Sequence, residues 1–525
     1  MQRKAEHHHS RWLFGGALLC VVGLLSISWT GILWGADAGG PKTGAEREAE
    51  IADALKKNGP IFVDWPKPQL ALVFSGEMDG YIEPCGCAGL DNQLGGLKRR
   101  HTLLKKFAAD GWNPVALDMG GLVRRTGPQQ NVKYKYALGA LIELGYDAIT
   151  FGLKDLQLSS DPILYAVANV ENDKNPLVSA NLDFYGMTKP LKIIEAGGKK
   201  IGVTAVLGPK YTKELVAGGE YEIVEPVGAI NKVLPDLAAA KCDLNILMVH
   251  GTQDEATELA RQFPQFDFVS TTGGAETPPD RSRAVEGVEP YLIETGHKGQ
   301  YVIVIGVYDN PAEPFKYQRV PLDHRFEDSP EMQKVLVEYQ NELETTTLAG
   351  LGITGVKHPE DSFAGSQVCG DCHTKAMEVF EKTPHFHATD TLVKLDPPRQ
   401  YDPECLSCHV TGWNPQEYFP YDSGFMGLKE SPLMMGNGCE NCHGPAASHV
   451  AAESGDETVS DEEMEALRAA LRLKIKPNEG NVNGATPPQV TGKVVDMCMQ
   501  CHDIDNSPDF DFQKYWPEVE HVGKE

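Results

Sequence analysis

The chain has 525 residues, enough for two to four domains at the usual size of roughly 100–200 residues each. Its hydrophobic fraction of 41% is that of a globular protein and excludes a disordered or fibrous one. Because 48 Lys and Arg residues stand against 74 Asp and Glu residues, the net charge is −26. This charge repels phosphate backbones, which argues against nucleic acid as a partner and favours basic proteins instead.

The N-terminal segment contains a hydrophobic run over residues 12–34, preceded by Arg and Lys residues. A run of 23 residues is long enough to cross a bilayer as a helix. The positive flank predicts that residues 1–35 form a single-pass anchor in the bacterial cytoplasmic membrane, with the rest of the chain on the periplasmic side. A cleaved signal peptide ending at Ala36-Asp37-Ala38 is the alternative, and both interpretations export the protein.

A linker is predicted over residues 36–68, which are rich in Gly, Pro and charge and contain one short helix near Glu46–Lys57. Residues 69–325 alternate apolar runs with amphipathic stretches, which is the pattern of an α/β domain. Helices are predicted at Tyr134–Leu144 and Glu255–Gln262. The predicted strands are Leu70–Phe74, Val115–Asp118, Ala148–Phe151, Lys200–Val206, Leu244–His250, Phe266–Ser270, Tyr291–Thr295 and Tyr301–Tyr308.

A closely spaced cysteine pair, Cys85-Gly-Cys87, lies within the α/β region. In an exported protein such a pair can bind a metal, form a strained disulfide or act as a redox thiol, with His101 or His250 as a further ligand. A structural loop shaped by Pro84 and the neighbouring glycines explains the same residues without any chemistry. The sequence leaves both interpretations open.

A connecting segment is predicted over residues 326–362, with a helix that begins near Ser329 and Pro330. From residue 363 to residue 525 the β-branched runs stop and repeated cysteine motifs begin. This change predicts a C-terminal domain made mainly of short helices and loops. The whole chain is therefore expected to be multidomain, with a transmembrane helix, an α/β domain and a mainly α domain.

Four copies of the pattern CxxCH stand in the C-terminal region, and this pattern is typical of covalent c-type haem. Two thiols attach one porphyrin, and the adjacent histidine binds its iron. Paired zinc sites also use CxxC, but zinc does not require a histidine directly after every pair. The motifs predict four haem c groups, attached through Cys369, Cys372, Cys405, Cys408, Cys439, Cys442, Cys498 and Cys501 and ligated by His373, His409, His443 and His502.

The strings TPHFHA, CHVTGW, CENCHGP and KYWPEVEH resemble the tetrahaem cytochrome c family that accepts electrons from hydroxylamine oxidoreductase. The resemblance covers about residues 365–525 and implies haems packed in overlapping pairs, three with two histidine ligands and one with an open iron. As an alternative, His387 or His358 closes the fourth iron, and the protein is then a pure electron carrier. When the family's distal ligands are carried over to the matching strings of this sequence, they fall on His385 (or His387 in its place), His449 and His521.

Residues 69–310 resemble the 5′-nucleotidase branch of the calcineurin-type metallophosphatases. The matching strings are ALDMGGLV (116–123), ITFGLKDLQ (149–157), VSANLDF (178–184), ILMVHG (246–251) and FDFVSTTGGAE (266–276). In that family Asp, His and Asn residues hold two divalent metals. Here Gly120 or Gly121 replaces the bridging Asp, Lys154 falls within the GNHE motif, and His250 is the one ligand clearly retained. The resemblance therefore implies the fold without the phosphatase activity, with Lys154 in the former metal cavity.

Together these features predict an exported, membrane-tethered tetrahaem cytochrome that transfers electrons between redox partner proteins, basic cytochromes among them, in respiratory nitrogen metabolism. The alternative is an enzyme, an oxidoreductase rather than a phosphatase, that acts at the open haem or at Cys85 and Cys87. The sequence does not identify a catalytic residue, an electron donor or an acceptor.

Overall fold

The structure is a computed structural model that describes residues 44–84, 93–168, 170–215, 221–473, 492–521 and 523. The predicted anchor at residues 12–34 and the Cys85 and Cys87 pair lie outside the described residues. Among the helices of the described part, none combines the length and the apolar character that a membrane span needs.

The strands of the described residues belong mostly to the α/β domain. In chain order they are β1 (Leu70–Ser75), β2 (Pro114–Asp118), β3 (Ala148–Ile149), β4 (Leu182–Asp183), β5 (Lys192–Ala196), β6 (Lys199–Leu207), β7 (Glu222–Ile223), β8 (Leu244–His250), β9 (Phe268–Thr271), β10 (Tyr291–Glu294), β11 (Tyr301–Val307), β12 (Phe315–Pro321), β13 (Trp413–Asn414) and β14 (Phe419–Pro420).

The helices of the described residues are short in the C-terminal region and longer before it. In chain order they are α1 (Gly44–Asn58), α2 (Leu97–Ala109), α3 (Pro128–Glu143), α4 (Asp161–Val167), α5 (Pro209–Glu214), α6 (Pro226–Ala240), α7 (Gln253–Gln262), α8 (Pro330–Gly350), α9 (Ser366–Gly370), α10 (Thr374–Phe380), α11 (Ala388–Lys394), α12 (Pro403–His409), α13 (Cys439–His443), α14 (Ala447–Ser454), α15 (Asp461–Ala470), α16 (Gly492–Cys498) and α17 (Phe512–Val519).

Two five-stranded sheets form the centre of the α/β domain, in the orders β12-β11-β1-β2-β3 and β10-β9-β8-β6-β5. In the first sheet, β1 is parallel to β2 and antiparallel to β11, with Leu72 opposite both Val115 and Ile305. In the second sheet, β6, β8, β9 and β10 are parallel, and β5 runs antiparallel along the edge. The domain is thus a mixed α/β structure, as the sequence predicts.

Alternating side chains of the strands build the layers of this domain. On β1, Leu72 and Phe74 point into a core shared by both sheets, whereas Ala71 and Val73 point to the opposite face. That opposite face is covered by α2, α3 and α8, and the outer face of the second sheet is covered by α6 and α7. The result is a four-layer sandwich of helices, sheet, sheet and helices.

The eight predicted strands coincide with β1, β2, β3, β6, β8, β9, β10 and β11, with ends displaced by at most two residues. The strands β5 and β12 were not predicted. Both lie at a sheet edge, and β5 alternates half-buried with exposed positions. An edge strand buries less apolar surface than a central one, so its hydrophobic signal in the sequence is weaker.

The connecting helix α8 is part of the α/β domain's packing. Ser329 caps its first turn by accepting a hydrogen bond from the Met332 amide, and Pro330 occupies the first helical position. One face of the helix, including Leu336 and Leu343, is buried against α2 and α3. This packing fixes the direction in which the chain enters the C-terminal region.

The C-terminal region has a small apolar core of its own, built around Leu406, Val410, Trp413 and Phe425. The indole of Trp413 donates a hydrogen bond to the Phe425 carbonyl at 2.7 Å, which fixes two loops to each other. The short helices that carry the cysteine motifs surround this core.

Truncation of Phe74 tests the central layer of the sandwich. Phe74 is fully buried between the sheets, so Phe74→Ala should lower the free energy of unfolding by about 3–5 kcal/mol, because it removes apolar contacts and leaves a cavity. Ile193 on the edge strand β5 is 41% exposed, so Ile193→Ala is the matched control with a much smaller effect. Urea denaturation followed by circular dichroism measures both. Equal losses for the two variants would contradict this layer assignment.

Candidate haem and metal sites

Each described CxxCH motif forms a helical turn. The backbone N–H of His373 donates to the Cys369 carbonyl at 2.8 Å, and that of His502 donates to the Cys498 carbonyl at 2.9 Å. Residues three and four positions apart lie on one face of such a turn, so both thiols and the imidazole of a motif face the same side. This arrangement fits covalent attachment of one porphyrin with a histidine on its iron.

Three histidines outside the motifs lie beside motif histidines. The ring centroids of His385 and His502 are 6.0 Å apart, and those of His521 and His443 are 5.9 Å apart. Imidazole nitrogens bind metals at about 2 Å, so two facing imidazoles that share one ion have centroids roughly 6 Å apart. Both pairs therefore have the separation that a shared iron requires.

The third of these histidines, His449, lies next to His373. Burial lowers the pKa of His449, Glu453 opposes this effect, and the neighbouring His373 adds to it. The Nδ1 atom of His449 is buried and has no hydrogen-bond partner among the described residues. The Nδ1 atom of His449 faces the Glu453 carboxylate at 3.9 Å, so it is the proximity to His373 that is consistent with a ligand role at the first motif.

Hydrogen bonds to Nδ1 orient several of these rings. His409 donates to the Ala388 carbonyl at 2.8 Å, His443 to the Leu471 carbonyl at 2.7 Å, and His521 to the Val519 carbonyl at 3.0 Å. A proton held at Nδ1 leaves the lone pair on Nε2, which is the atom that would bind iron.

The alternative ligands His387 and His358 have other surroundings. The side chain of His387 is 55% exposed, and its Nδ1 lies 3.3 Å from the Asp390 carboxylate. His358 packs edge-on against Phe363 and Tyr421, and its Nδ1 accepts a hydrogen bond from the Glu360 amide. Within the described part of the chain, none of these contacts brings either ring beside a motif histidine.

Contacts between cysteines show which motifs are neighbours. Cys369 of the first motif lies close to Cys439 of the third, and Cys408 of the second lies close to Cys501 of the fourth. Cys442 of the third motif also lies near Cys498 of the fourth. The spatial order of the motifs is therefore first, third, fourth, second.

The second motif is fixed against the α/β domain by buried polar groups. Lys133 on α3 forms an ion pair with Glu404, which directly precedes Cys405. Asp402 accepts hydrogen bonds from the Tyr339 hydroxyl at 3.0 Å and from the Gln340 amide at 3.1 Å, both on α8. Lys133, Asp402, Tyr339 and Gln340 are all nearly inaccessible to solvent.

The fourth motif is fixed to the same domain by Asp505, three residues after His502. Its carboxylate binds the Lys298 ammonium at 2.5 Å and also forms an ion pair with Arg124. A further bridge joins Arg399 to Glu83, whose carboxylate lies 3.0 Å from the Arg399 Nε. The second and fourth motifs thus share the face that the α/β domain covers.

A cluster of possible metal ligands lies on the α/β side of this boundary. Among the described residues, Glu77, Asp79 and His297 form the one group of His, Cys, Asp or Glu side chains whose ligand atoms lie within 4.8 Å of one another. Glu77 and Asp79 belong to the loop after β1, and His297 to the loop after β10. Burial and the nearby Asp79 carboxylate raise the pKa of Glu77 to about 8.

His250, the ligand that the metallophosphatase resemblance retains, and the neighbouring Asp155 have structural partners. Asp155 accepts hydrogen bonds from the amides of Gly121, Gly152 and Leu122 at 2.7–2.9 Å. His250 donates from Nδ1 to the Met119 carbonyl at 2.8 Å, and its Nε2 lies 3.6 Å from Glu77. These contacts satisfy both side chains without a metal and do not reproduce a dinuclear ligand set.

The prediction that Lys154 fills the former metal cavity is wrong. Its side chain is exposed, and its ammonium binds the Gln157 side chain at 3.0 Å. The Glu77 carboxylate lies against Gly121, since a Cβ atom at position 121 would collide with it. Gly121 also has a φ of 75°, which favours glycine. Because residue 121 is a glycine, the Glu77 side chain has room to lie against it.

Glu77, Asp79 and His297 were not predicted from the sequence. The sequence did indicate Glu77 and Asp79, because two acidic residues two positions apart follow shortly after a fully buried strand. His297 gave no such signal, because only the fold brings the loop after β10 to the loop after β1. His101 was predicted as a further ligand for Cys85 and Cys87. Its Nδ1 lies 2.6 Å from the Ser329 hydroxyl. The two cysteines lie outside the described residues.

Removal of the guanidinium that faces Asp118 tests the electrostatics beside this cluster. Arg100 and Asp118 are both buried with their charged atoms 3.6 Å apart, and burial raises the pKa of Asp118 while Arg100 lowers it. Arg100→Met should cost about 3–5 kcal/mol of unfolding free energy, because it leaves a buried carboxylate without its cation.

The double variant Arg100→Met/Asp118→Asn should recover part of this loss, since no uncompensated charge remains. Arg261→Met, at an exposed ion pair with Glu258, should cost less than about 1 kcal/mol and serves as the control. Denaturant titration of these proteins and of the single variant Asp118→Asn measures the coupling. Strictly additive losses would show that the two buried charges do not interact.

Comparison with known proteins gives two separate regions of similarity. The family described as "Cytochrome c554 and c-prime" matches residues 368–444, which contain three of the four CxxCH motifs. Cytochrome c-554 of Nitrosomonas europaea is 32% identical over 96 residues, which are 16% of this chain and 38% of that protein. This region is similar to multihaem c-type cytochromes, and the similarity implies covalently bound haem c.

The N-terminal part is similar to nucleotide-hydrolysing enzymes. An apyrase of Aedes aegypti is 23% identical over 312 residues, which are 53% of this chain and 55% of that protein. The structure of a 5′-nucleotidase precursor from Thermus thermophilus aligns with a TM-score of 0.44 at 17% identity, over 60% of this chain and 67% of that one. The chain thus spans about half or less of the curated relatives it matches, and the comparisons confirm both resemblances predicted from the sequence.

Proposed function

We propose that the protein is a tetrahaem c-type cytochrome that transfers electrons, exported and tethered to the bacterial cytoplasmic membrane with its bulk on the periplasmic side. The observation that carries the electron-transfer proposal is the placement of three histidines outside the motifs beside three motif histidines. Bis-histidine ligation saturates iron and favours outer-sphere electron transfer over ligand binding. The N-terminal apolar run at residues 12–34 supports export and anchoring.

The ligand assignment follows from two ring separations and, for His449, from its proximity to His373. His449 would serve the first motif, His521 the third and His385 the fourth. Because these three histidines are assigned to other motifs, the haem of the second motif would keep an open iron. Bound haem would supply one-electron transfer, and this chain's residues would hold and orient it.

The contacts between cysteines support an order of electron carriers. The first and third motifs form one close pair, the second and fourth form another, and the third and fourth join them. A linear arrangement of this kind has two ends, at the first and the second motif. The second motif lies against the α/β domain through Glu404 and Lys133, so the end at the first motif is the better candidate for contact with a partner.

The partners would be redox proteins, with basic cytochromes favoured by the net charge of −26. Similarity to Cytochrome c-554 supports a role in respiratory nitrogen metabolism. Oxidoreductase chemistry at the open iron or at Cys85 and Cys87 is the second candidate. It is favoured by the bridge from Arg399 to Glu83, which lies two residues before Cys85 and connects that part of the chain to the second motif.

Substitution of His521 tests the ligand assignment. In the haem-loaded full chain, His521→Ala should leave the haem count at four in a pyridine haemochrome assay but convert one low-spin haem to high spin in low-temperature EPR, because the third motif's iron loses its distal imidazole. His387→Ala is the matched control and should leave the spectrum unchanged.

The opposite pattern, with a low-spin signal lost in His387→Ala and retained in His521→Ala, would overturn the assignment. A haem count other than four in the unsubstituted protein would overturn the tetrahaem proposal itself. Four low-spin haems in that protein would remove the open iron and leave a pure electron carrier.

A further inference from the structure

We infer that Ser507 tunes the reduction potential of the haem on the fourth motif by accepting the Nδ1 proton of His502, and that the α/β domain holds the loop that carries Ser507. The inference rests on the proposed cytochrome function, because His502 ligates iron only when haem is attached to its motif. The observation that carries it is the position of the Ser507 hydroxyl, whose Oγ lies 3.1 Å from His502 Nδ1. Ser507 is a positioning residue, since it acts on the iron through the histidine.

The direction of this hydrogen bond follows from the role of the ring. His502 would bind iron through Nε2, which must then carry a lone pair, so its proton resides on Nδ1. The Ser507 hydroxyl is therefore the acceptor. An acceptor at Nδ1 increases the electron density of the imidazole, and an electron-rich ligand favours Fe(III) over Fe(II). The contact thus lowers the potential of this haem relative to a ring without an acceptor.

The second and third motifs have a different acceptor at the same ring atom. His409 and His443 donate from Nδ1 to backbone carbonyls at 2.8 Å and 2.7 Å. The contact of His502 is longer, at 3.1 Å, so its hydrogen bond is weaker. A backbone carbonyl is present whatever the residue, whereas a hydroxyl requires a particular side chain. The potential of the fourth haem therefore depends on the identity of one residue, Ser507.

Further contacts fix both partners of this hydrogen bond. The ring of Phe510 stacks on that of His502, with centroids 4.5 Å apart and an angle of 14° between the planes. The Ser507 amide donates to the Asp503 carbonyl at 2.8 Å, and the Asp503 carboxylate accepts from the Asn506 amide at 2.7 Å. Ser507 is thus held in a tight turn that begins next to the histidine. Because the turn and the stacked ring do not involve the hydroxyl, its removal should change the hydrogen bond and not the local fold.

The α/β domain holds this turn from the other side. Asp505, in the middle of the turn, binds the Lys298 ammonium at 2.5 Å and forms an ion pair with Arg124. Burial would raise the pKa of Asp505, but Lys298 and Arg124 lower it more, so the carboxylate stays charged. Lys298 is itself 9% exposed, so this ion pair is shielded from solvent. The domain therefore limits the movement of the turn and, through it, the distance between hydroxyl and imidazole.

The position of the fourth motif gives this contact a consequence for electron transfer. In the order first, third, fourth, second, the fourth motif is an interior one, so electrons that pass between the two ends cross its haem. A shift in its potential would change the driving force of the transfers on both of its sides. The α/β domain would thus influence electron transfer by holding one turn, without a reaction of its own.

A redox titration of the haem-loaded full chain, followed by low-temperature EPR, tests the role of the hydroxyl. Ser507→Ala should shift the equilibrium of one haem toward Fe(II) by about threefold to tenfold, where a tenfold change is about 59 mV for a one-electron couple. Ser507→Thr keeps the hydroxyl and should retain the original potential. Ser159→Ala, which removes an exposed serine hydroxyl of the α/β domain, is the matched control and should change no haem.

The variant Asp505→Asn tests the part played by the α/β domain. Loss of this carboxylate removes a negative charge near the haem and raises its potential in any case. The informative quantity is therefore the additional effect of Ser507→Ala in that background. If the ion pairs hold the turn, Ser507→Ala should shift the potential less in Asp505→Asn than in the unsubstituted protein.

An unchanged potential in Ser507→Ala, or an equal shift in Ser507→Thr, would overturn the role of the hydroxyl. Equal shifts in the two backgrounds would overturn the role of the α/β domain. The affected haem should be the one whose low-spin EPR signal is lost in His385→Ala, and a shift confined to another haem would overturn the assignment to the fourth motif. A protein without haem in the pyridine haemochrome assay would contradict the proposed function as well, whereas four haems with unshifted potentials would contradict this inference alone.

Discussion

The buried ion pair between Lys133 and Glu404 holds the two regions of similarity together. Burial alone would lower the pKa of Lys133, but the carboxylates of Glu404 and Asp402 more than offset this effect and raise it. Removing Lys133 would leave the buried Asp402 carboxylate beside a second carboxylate, that of Glu404, without their shared cation, which is a costly change in a protein interior. The position of the second haem motif relative to the α/β domain therefore depends on this pair.

The same boundary places the α/β domain against the cysteine motifs. The fold brings the loops after β1 and β10 together, and both loops lie beside residues that bind the haem region. Gly80 packs against the Lys133 side chain, and Lys298 joins Asp79 to Asp505. These contacts join the α/β domain to the second and fourth motifs.

Much of this organisation can be predicted from the sequence because its signals are local. Strand β8 is mostly apolar and was predicted to the residue, and each CxxCH motif is complete within five residues. The family resemblance limits the candidate distal ligands to a few histidines. Which motif histidine each candidate faces depends on contacts such as that of His521 with His443, which are 78 positions apart in the chain. The edge strands β5 and β12 and the His297 contact were missed, because none of them has a strong hydrophobic or motif signature in the sequence.

The error at Lys154 has a related cause. A lysine within a former metal-binding motif suggests a cation that replaces the metal, but a long flexible side chain reaches solvent easily. In the structure the Lys154 side chain reaches solvent and binds Gln157. The acidic side chain at position 77, which lies against the glycine at position 121, defines the chemistry of the site instead. Side-chain direction of this kind is set by the tertiary structure.

The α/β domain and the haem region should behave as one unit because of the buried polar boundary. Differential scanning calorimetry of the haem-loaded full chain tests this most directly, with Lys133→Met compared against the exposed control Lys106→Met. We expect one cooperative transition in the unsubstituted and control proteins and two separated transitions in Lys133→Met. Two independent transitions in the unsubstituted protein, unchanged in Lys133→Met, would contradict the dependence on this boundary.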